Sequence, residues 1–449
     1  MIAIPRLRAF GATLGMTALA ARSLQRSISP CPQGRSGPLA RLSLGPYRSW
    51  VTRHGPSTRS PRIPRAARRR LCRDHRHAHA PSERRDAIAP AVATRGPITT
   101  FLLYGATGYT GELIARRAVA SGLRPVLAGR TAEPLAHLAN ELGLDHRAVR
   151  VDDPEAFHIA IGDAPLVLNC AGPFSRTASA VASACIRRGA HYLDITGEIA
   201  VFESLAARSV EAEKAGVMLL PGVGFDVVPS DCLAAHVAHR IPSATHLTIA
   251  IHGSTRMSRG TALTSLEGFA AGRGWGAVRR GGRIVRVPPA WKSRVIDLGA
   301  GPVRVTTMPW GDVATSFHST GIPDVEVYMA IPAGLRRMLR YGKPLLPLLA
   351  SAPVRRWLES RVRRGAPGPT TAQRARGWSR FWAEARDDAG HSAAARLLTP
   401  EGYDLTVHTA LECTRRVLQG HWRAGYQTPS TAYGPDLVLA VDGVRRDDL

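Results

Sequence analysis

From Thr99 onward the chain alternates short apolar runs with longer amphipathic stretches. The run Thr100–Tyr104 leads through a glycine-rich turn into the helical stretch Glu112–Val119. Arg124–Gly129, Ala148–Val151, Pro165–Cys170, His191–Ile195 and Val217–Leu220 read as further strands. Pro134–Gly143, Pro154–Ile161, Thr177–Arg188 and Val201–Ala215 read as the helices between them. Strands separated by helices in this way predict an α/β domain with a doubly wound parallel sheet at 99–230.

The pattern then changes. Thr245–Ile251, Arg283–Val287, Val303–Met308 and Val325–Met329 alternate as strands, and Gly260–Ala271 reads as a helix. These predict a second, α+β domain with a mixed sheet at 231–400. Within it, 334–364 interleaves leucines with arginines, and Pro344, Pro347 and Pro353 break any long helix. A helix at Asp404–Leu418, ending at Gly420, opens a C-terminal return (401–449) expected to pack on the first domain. Residues 1–98 show no period of two or 3.6 and are rich in Pro, Ser, Gly and Arg, so a disordered basic tail is expected. Three origins compete for it: a start assigned too early, a transit peptide, or a secretory signal with Ala9–Ala20 as its apolar core.

Charge changes the picture less than its size suggests. The chain of 449 residues has a net charge of +26. Residues 1–96 hold +16 of this, with nineteen Arg and three acids. Only Lys214, Lys292 and Lys343 are lysines, against 57 arginines. Such one-sided use indicates compositional bias rather than a nucleic-acid surface. The six cysteines have neither CxxC nor metal-ligand spacing, so no metal is expected. No apolar run approaches the ~20 residues of a membrane span.

The first strand ends in Gly105-Ala106-Thr107-Gly108-Tyr109-Thr110-Gly111, and a helix follows directly. Strand, glycine turn and helix together form the Rossmann dinucleotide signature, with the pyrophosphate on the helix N-terminus. At the end of the second strand an NAD site tends to hold an acid; here Gly129 is followed by Arg130. A guanidinium pairs with a 2′-phosphate, so NADP(H) is expected. Asp152 is placed to meet the adenine amino group. Asn169, Ala171, Gly172 and Pro173, around Cys170, end the fourth strand beside the pyrophosphate and nicotinamide ribose.

These motifs, with Leu127-Ala-Gly-Arg130, Asn169-Cys-Ala-Gly-Pro-Phe174, His191-Tyr-Leu-Asp-Ile-Thr-Gly-Glu198 and Gly224-Phe-Asp-Val-Val-Pro-Ser-Asp231, resemble the saccharopine dehydrogenase-like oxidoreductases. Within that group the chain is most similar to the trans-acting enoyl reductases and their bacterial relatives. The resemblance continues through Gly365–Thr370, Leu398–Tyr403 and Gln427–Gly434. It implies a cytoplasmic NADPH-dependent reductase of an enoyl or keto group, acting on a small-molecule or acyl-chain substrate. A homodimer is among the expected forms.

The residues proposed to carry the chemistry are Asp194 at the end of the fifth strand, Tyr192 as a proton donor, and Asp226. Asp226 and Ser230 have a competing reading as caps of the helix near Pro229, and His191 as a satisfied strand residue. No Tyr-x-x-x-Lys pair of the short-chain dehydrogenase type is present. A second reading is a non-catalytic NADP-binding protein attached peripherally to membranes through Arg336–Arg364, a basic amphipathic stretch.

Overall fold

The computed structural model describes residues 99–253, 257–268, 276–342 and 351–449. The expected basic tail at 1–98 lies outside them. The first domain begins with β1 (Leu102–Tyr104), α1 (Tyr109–Ala120), β2 (Val126–Gly129), α2 (Ala132–Leu142), β3 (His146–Ala148) and α3 (Pro154–Ile161). It continues with β4 (Leu166–Asn169), α4 (Phe174–Arg188), β5 (His191–Asp194), α5 (Ile199–Ala206), α6 (Ser209–Lys214) and β6 (Met218–Leu220). All pairings in this sheet are parallel, in the order β15-β6-β5-β4-β1-β2-β3. β15 is only Gly425–Tyr426, contributed by the C-terminal return. The chain reverses winding direction between β1 and β4, which opens a crevice at their carboxyl ends.

Two local expectations are corrected. The third strand lies at His146–Ala148, starting two residues before the expected Ala148–Val151, because His146 and Arg147 take ladder positions beside Leu127 and Ala128. The helix expected over Val201–Ala215 is two helices, broken at Ala207–Arg208. Arg208 turns outward there to Glu211 (2.8 Å) and to the Ser183 hydroxyl (3.0 Å).

Helix α7 (Val228–Arg240) leads from the first domain into the second, so the boundary expected at 230–231 falls inside one continuous helix. There follow β7 (His246–Gly253), α8 (Arg259–Gly268), β8 (Gly276–Arg280), β9 (Arg283–Val287), β10 (Ser293–Asp297), β11 (Pro302–Thr307), α9 (Asp312–Thr320) and β12 (Asp324–Ala330). Next come α10 (Ala333–Tyr341), α11 (Ala352–Arg364), α12 (Thr371–Ala375), β13 (Trp378–Arg386) and β14 (Ser392–Pro400). The chain closes with α13 (Gly402–Leu418), β15, α14 (Pro429–Tyr433) and β16 (Arg445–Asp448). The second sheet runs β10-β11-β12-β7-β13-β14-β16 and is mixed: β12 and β7 are parallel and its other pairs antiparallel.

Alternation on β7 and β13 explains how the sheets meet. Leu247, Ile249, Ile251, Phe381, Ala383 and Ala385 point one way and are buried. They share one apolar core with Leu103, Leu127 and Leu168 of the parallel sheet and with Val407 and Leu411 of α13. The opposite face of the parallel sheet has a separate core around Phe157, Val181 and Leu219. Helix α13 packs on α1 as well as on β14, so the return is tied to both domains. No helix among the described residues is long and apolar enough to cross a membrane.

Candidate functional site

The glycine turn is shaped by backbone contacts. Gly105 has φ +83°, and a Cβ there would lie 2.7 Å from the Ala171 amide nitrogen. The loops after β1 and β4 therefore abut backbone to backbone, a closeness only glycine allows. A Cβ on Gly111 would sit 2.2 Å from the Gly105 carbonyl oxygen, so α1 is pressed onto the turn. Gly108 is the N-cap of α1 and no side chain caps it. Thr107 and Gly108 are exposed, Tyr109 and Thr110 half-buried, and Ala106 buried. A helix N-terminus with amides uncapped by any side chain, reached through a side-chain-free turn, fits a dinucleotide pyrophosphate.

Arg130 follows β2 and is exposed, with no acidic partner among the described residues. Asp152 is exposed after the third strand, where it was expected, and it carries a partner of its own. Arg150 grips its carboxylate with Nε at 2.9 Å and Nη2 at 2.5 Å, which holds the carboxyl below the usual range.

Asn169 shapes the next loop rather than presenting an open side chain. Its Oδ1 accepts from Ala171 N at 3.0 Å, and its Nδ2 donates to Thr177 Oγ1 and Tyr192 Oη, each at 3.3 Å. The segment Ala171-Gly172-Pro173 is thereby held against Gly105. Glu198 closes it from the other side by accepting from the amides of Phe174 (2.8 Å) and Ser175 (3.3 Å) at the start of α4.

The expected chemical roles of Tyr192 and Asp194 require correction. Both are fully buried on one face of β5. Tyr192 Oη donates to Asp194 Oδ2 at 2.6 Å, while Asp194 Oδ1 accepts from Thr196 N and Gly222 N, both at 2.9 Å. Asp194 thus ties the loop after β5 to the loop after β6. Burial raises its carboxyl to about 6 against the pull of these donors, and burial beside Asp194 drives the Tyr192 phenol well above its ordinary value. Neither side chain opens to a substrate. His191 lies on the opposite face, accepts from Met218 N at 3.1 Å, and is lowered to about 4 by burial.

Asp226 remains open. The N-cap of α7 is Val227, and no side chain caps that helix, so the capping reading of Asp226 does not hold. Asp226 is half-buried, makes no side-chain hydrogen bond among the described residues, and rests against Gly197, where a Cβ would be 2.7 Å from Oδ2. Burial raises its carboxyl to about 6. The loops after β5 and β6 place it at the carboxyl edge of the parallel sheet, where ligands of such folds sit.

Tyr109, expected within the glycine turn, joins a cluster with residues that were not singled out from sequence, Arg374 and Ser258 of the second domain and Asp404 of the return. Tyr109 Oη donates to Pro369 O at 2.5 Å and accepts from Arg374 at 2.9 Å, while its ring meets Tyr403 edge-on at 5.0 Å. Arg374 also pairs with Asp404 at 2.8 Å. Tyr403 Oη accepts from Ser258 N at 2.6 Å. The second domain and the return thereby fasten onto the glycine turn. Deeper in, Asp231 and Asp312 are fully buried behind Asp226, and burial raises both.

Residues 101–220 match the family model described as saccharopine dehydrogenase NADP binding domain. The trans-acting enoyl reductase of Mycobacterium leprae (strain TN) is 32% identical over 148 residues, which are 31% of this chain and 35% of that protein. A probable mitochondrial saccharopine dehydrogenase-like oxidoreductase of Arabidopsis thaliana is 31% identical over 152 residues, 30% of this chain and 34% of that protein. The chain thus aligns over about a third of these curated relatives. Among solved structures, the apo saccharopine dehydrogenase (L-Glu forming) of Saccharomyces cerevisiae shares the fold. It has a TM-score of 0.53 and 12% identity, over 78% of this chain and 100% of that one. Over residues 101–220, then, this chain is similar to the saccharopine dehydrogenase NADP binding domain.

Proposed function

We propose that the chain is an NADPH-dependent reductase of an enoyl or keto group, with Asp226 as the proton donor. The observation that carries this reading is an unbonded, half-buried carboxyl on the same sheet edge as an uncapped glycine turn. When bound, NADPH supplies the hydride to the substrate carbon. The glycine turn and the amides of α1 would hold the pyrophosphate, and Arg130 would pair with the 2′-phosphate. The segment Ala171–Pro173, fixed by Asn169 beside the glycine turn, would help hold the cofactor. Asp226 gives its carboxyl proton to the atom that gains negative charge and becomes a carboxylate. Its partial exposure lets water return the proton. The second domain, fastened through Tyr109, Arg374 and Tyr403, keeps solvent from the reacting atoms.

The names of the relatives favour an activated alkene over a ketone, and an acyl thioester fits that chemistry. The test is NADPH oxidation with a panel of enoyl and keto thioesters, comparing wild type with D226N. Turnover that collapses in D226N while NADPH still binds supports the reading. NADPH binding without turnover on any member of the panel would sink it.

A further inference from the structure

Helices α10 and α11 have a surface that the reductase chemistry does not use. Neither contains a buried residue. On α10, Leu335 and Met338 are 40% and 50% exposed and share one side with Leu339 at the three- and four-residue spacing of a helix face. Arg336, Arg337 and Arg340 occupy the other side, and Tyr341 is 73% exposed at the boundary between them. On α11, Trp357 is 54% exposed, and the Arg361 guanidinium lies 5.4 Å from its ring centre.

Charge marks the same helices. They carry eight arginines and one acid, Glu359, which pairs with Arg355 at 3.5 Å. The other seven arginines have no acidic partner among the described residues. These 22 residues therefore hold +7, while residues 97–449 as a whole hold +10. An arginine-biased composition spreads its charge along a chain and does not gather it on two helices. Nor does it leave leucine, methionine, tyrosine and tryptophan uncovered beside that charge.

We propose that α10 and α11 form a docking face for an anionic lipid surface. The arginines meet phosphate headgroups, and Leu335, Met338, Tyr341 and Trp357 enter the boundary between headgroups and acyl chains. Such a face would hold the enzyme where long acyl substrates collect. The inference stands apart from the reductase reading, because lipid binding is measured without substrate or NADPH.

The experiment uses the full chain and sucrose-loaded vesicles of phosphatidylcholine, with or without phosphatidylglycerol. Two variants are compared with wild type: R336E/R337E/R340E and L335S/M338S/W357S. Far-ultraviolet circular dichroism and the melting temperature report that each variant is folded. The expected result is sedimentation with the anionic vesicles that weakens at least about tenfold in both variants. Brominated lipid should also quench wild-type tryptophan fluorescence, and W357F should lose most of that quenching. Residues 1–96 are themselves strongly basic, so vesicle binding unchanged in both variants would assign attachment to them and overturn the proposal. Absence of binding to anionic vesicles overturns it too. So does binding of the wild type to an acidic polypeptide but to no vesicle.

Discussion

The Tyr192 hydroxyl donates to Asp194 Oδ2 at 2.6 Å, and both side chains are fully buried. The contact makes Tyr192 a positioning residue for the loops that frame the site. Y192F leaves a buried carboxylate oxygen short of a donor, at a cost of about 1–3 kcal/mol in stability. Urea unfolding should show that loss, and NADPH affinity should change little. A variant as stable as wild type that has lost all turnover would restore Tyr192 as the proton donor.

That relationship shows where sequence was informative and where it was not. The alternation of β1 to β6 with helices was legible because most strands there hold an apolar run; β3, His146-Arg147-Ala148, does not, and its bounds were missed. The face shared by Tyr192 and Asp194 was legible from their two-residue spacing. Which side of that face was open was not, since it depends on Asn169, Thr196 and Gly222 from three other segments. β14 reads as Ser392-Ala-Ala-Ala-Arg-Leu-Leu, whose alanines favour a helix, and it becomes a strand through its pairing with β13. β15 has two residues and no pattern to read. Arg374 is 265 residues from Tyr109, a contact that no spacing rule anticipates.

Gly111 is the tightest point of the turn. Its missing Cβ would lie 2.2 Å from Gly105 O and 3.0 Å from Ala106 Cα, both unable to yield without moving backbone. G111A should destabilise the protein by about 1–3 kcal/mol and displace the start of α1. Isothermal titration should find NADPH binding lost or much weakened. Gly122, where a Cβ meets nothing within 4 Å, has φ +81°, so G122A should cost stability through strain but leave NADPH affinity intact.

Arg130 is the residue that would discriminate the cofactors. Its side chain is exposed and free of acidic neighbours, whereas Asp152 is already committed to Arg150. R130D should weaken NADPH binding by about tenfold or more, the scale of one charge-assisted contact, and barely change NADH. Parallel titrations with the two cofactors decide it. Equal losses for both would remove Arg130 from the 2′-phosphate.

Asp226 gives the prediction with the sharpest pH signature. Burial raises its carboxyl to about 6 in the folded protein. Below that pH the protonated donor predominates, and it is lost as pH rises through about 6. The rate of reduction should therefore fall across that region, and D226N should remove the descent along with about 10²–10⁴ of the rate. Stability should follow the same direction with pH. A carboxyl raised above its unfolded value of about 3.9 favours the fold while it is protonated, and that contribution disappears as pH climbs through about 6. At neutral pH the wild type holds a partly desolvated charge that asparagine lacks, so D226N should melt higher than wild type while turning over far more slowly. Asp194 is also raised to about 6, but three donors hold its carboxylate, so a rate profile governed by Asp194 would survive in D226N. Rate profiles and melting curves of the two proteins across pH 5–8 separate the cases. A D226N enzyme that keeps both the rate and its descent near pH 6 would move the proton donor elsewhere.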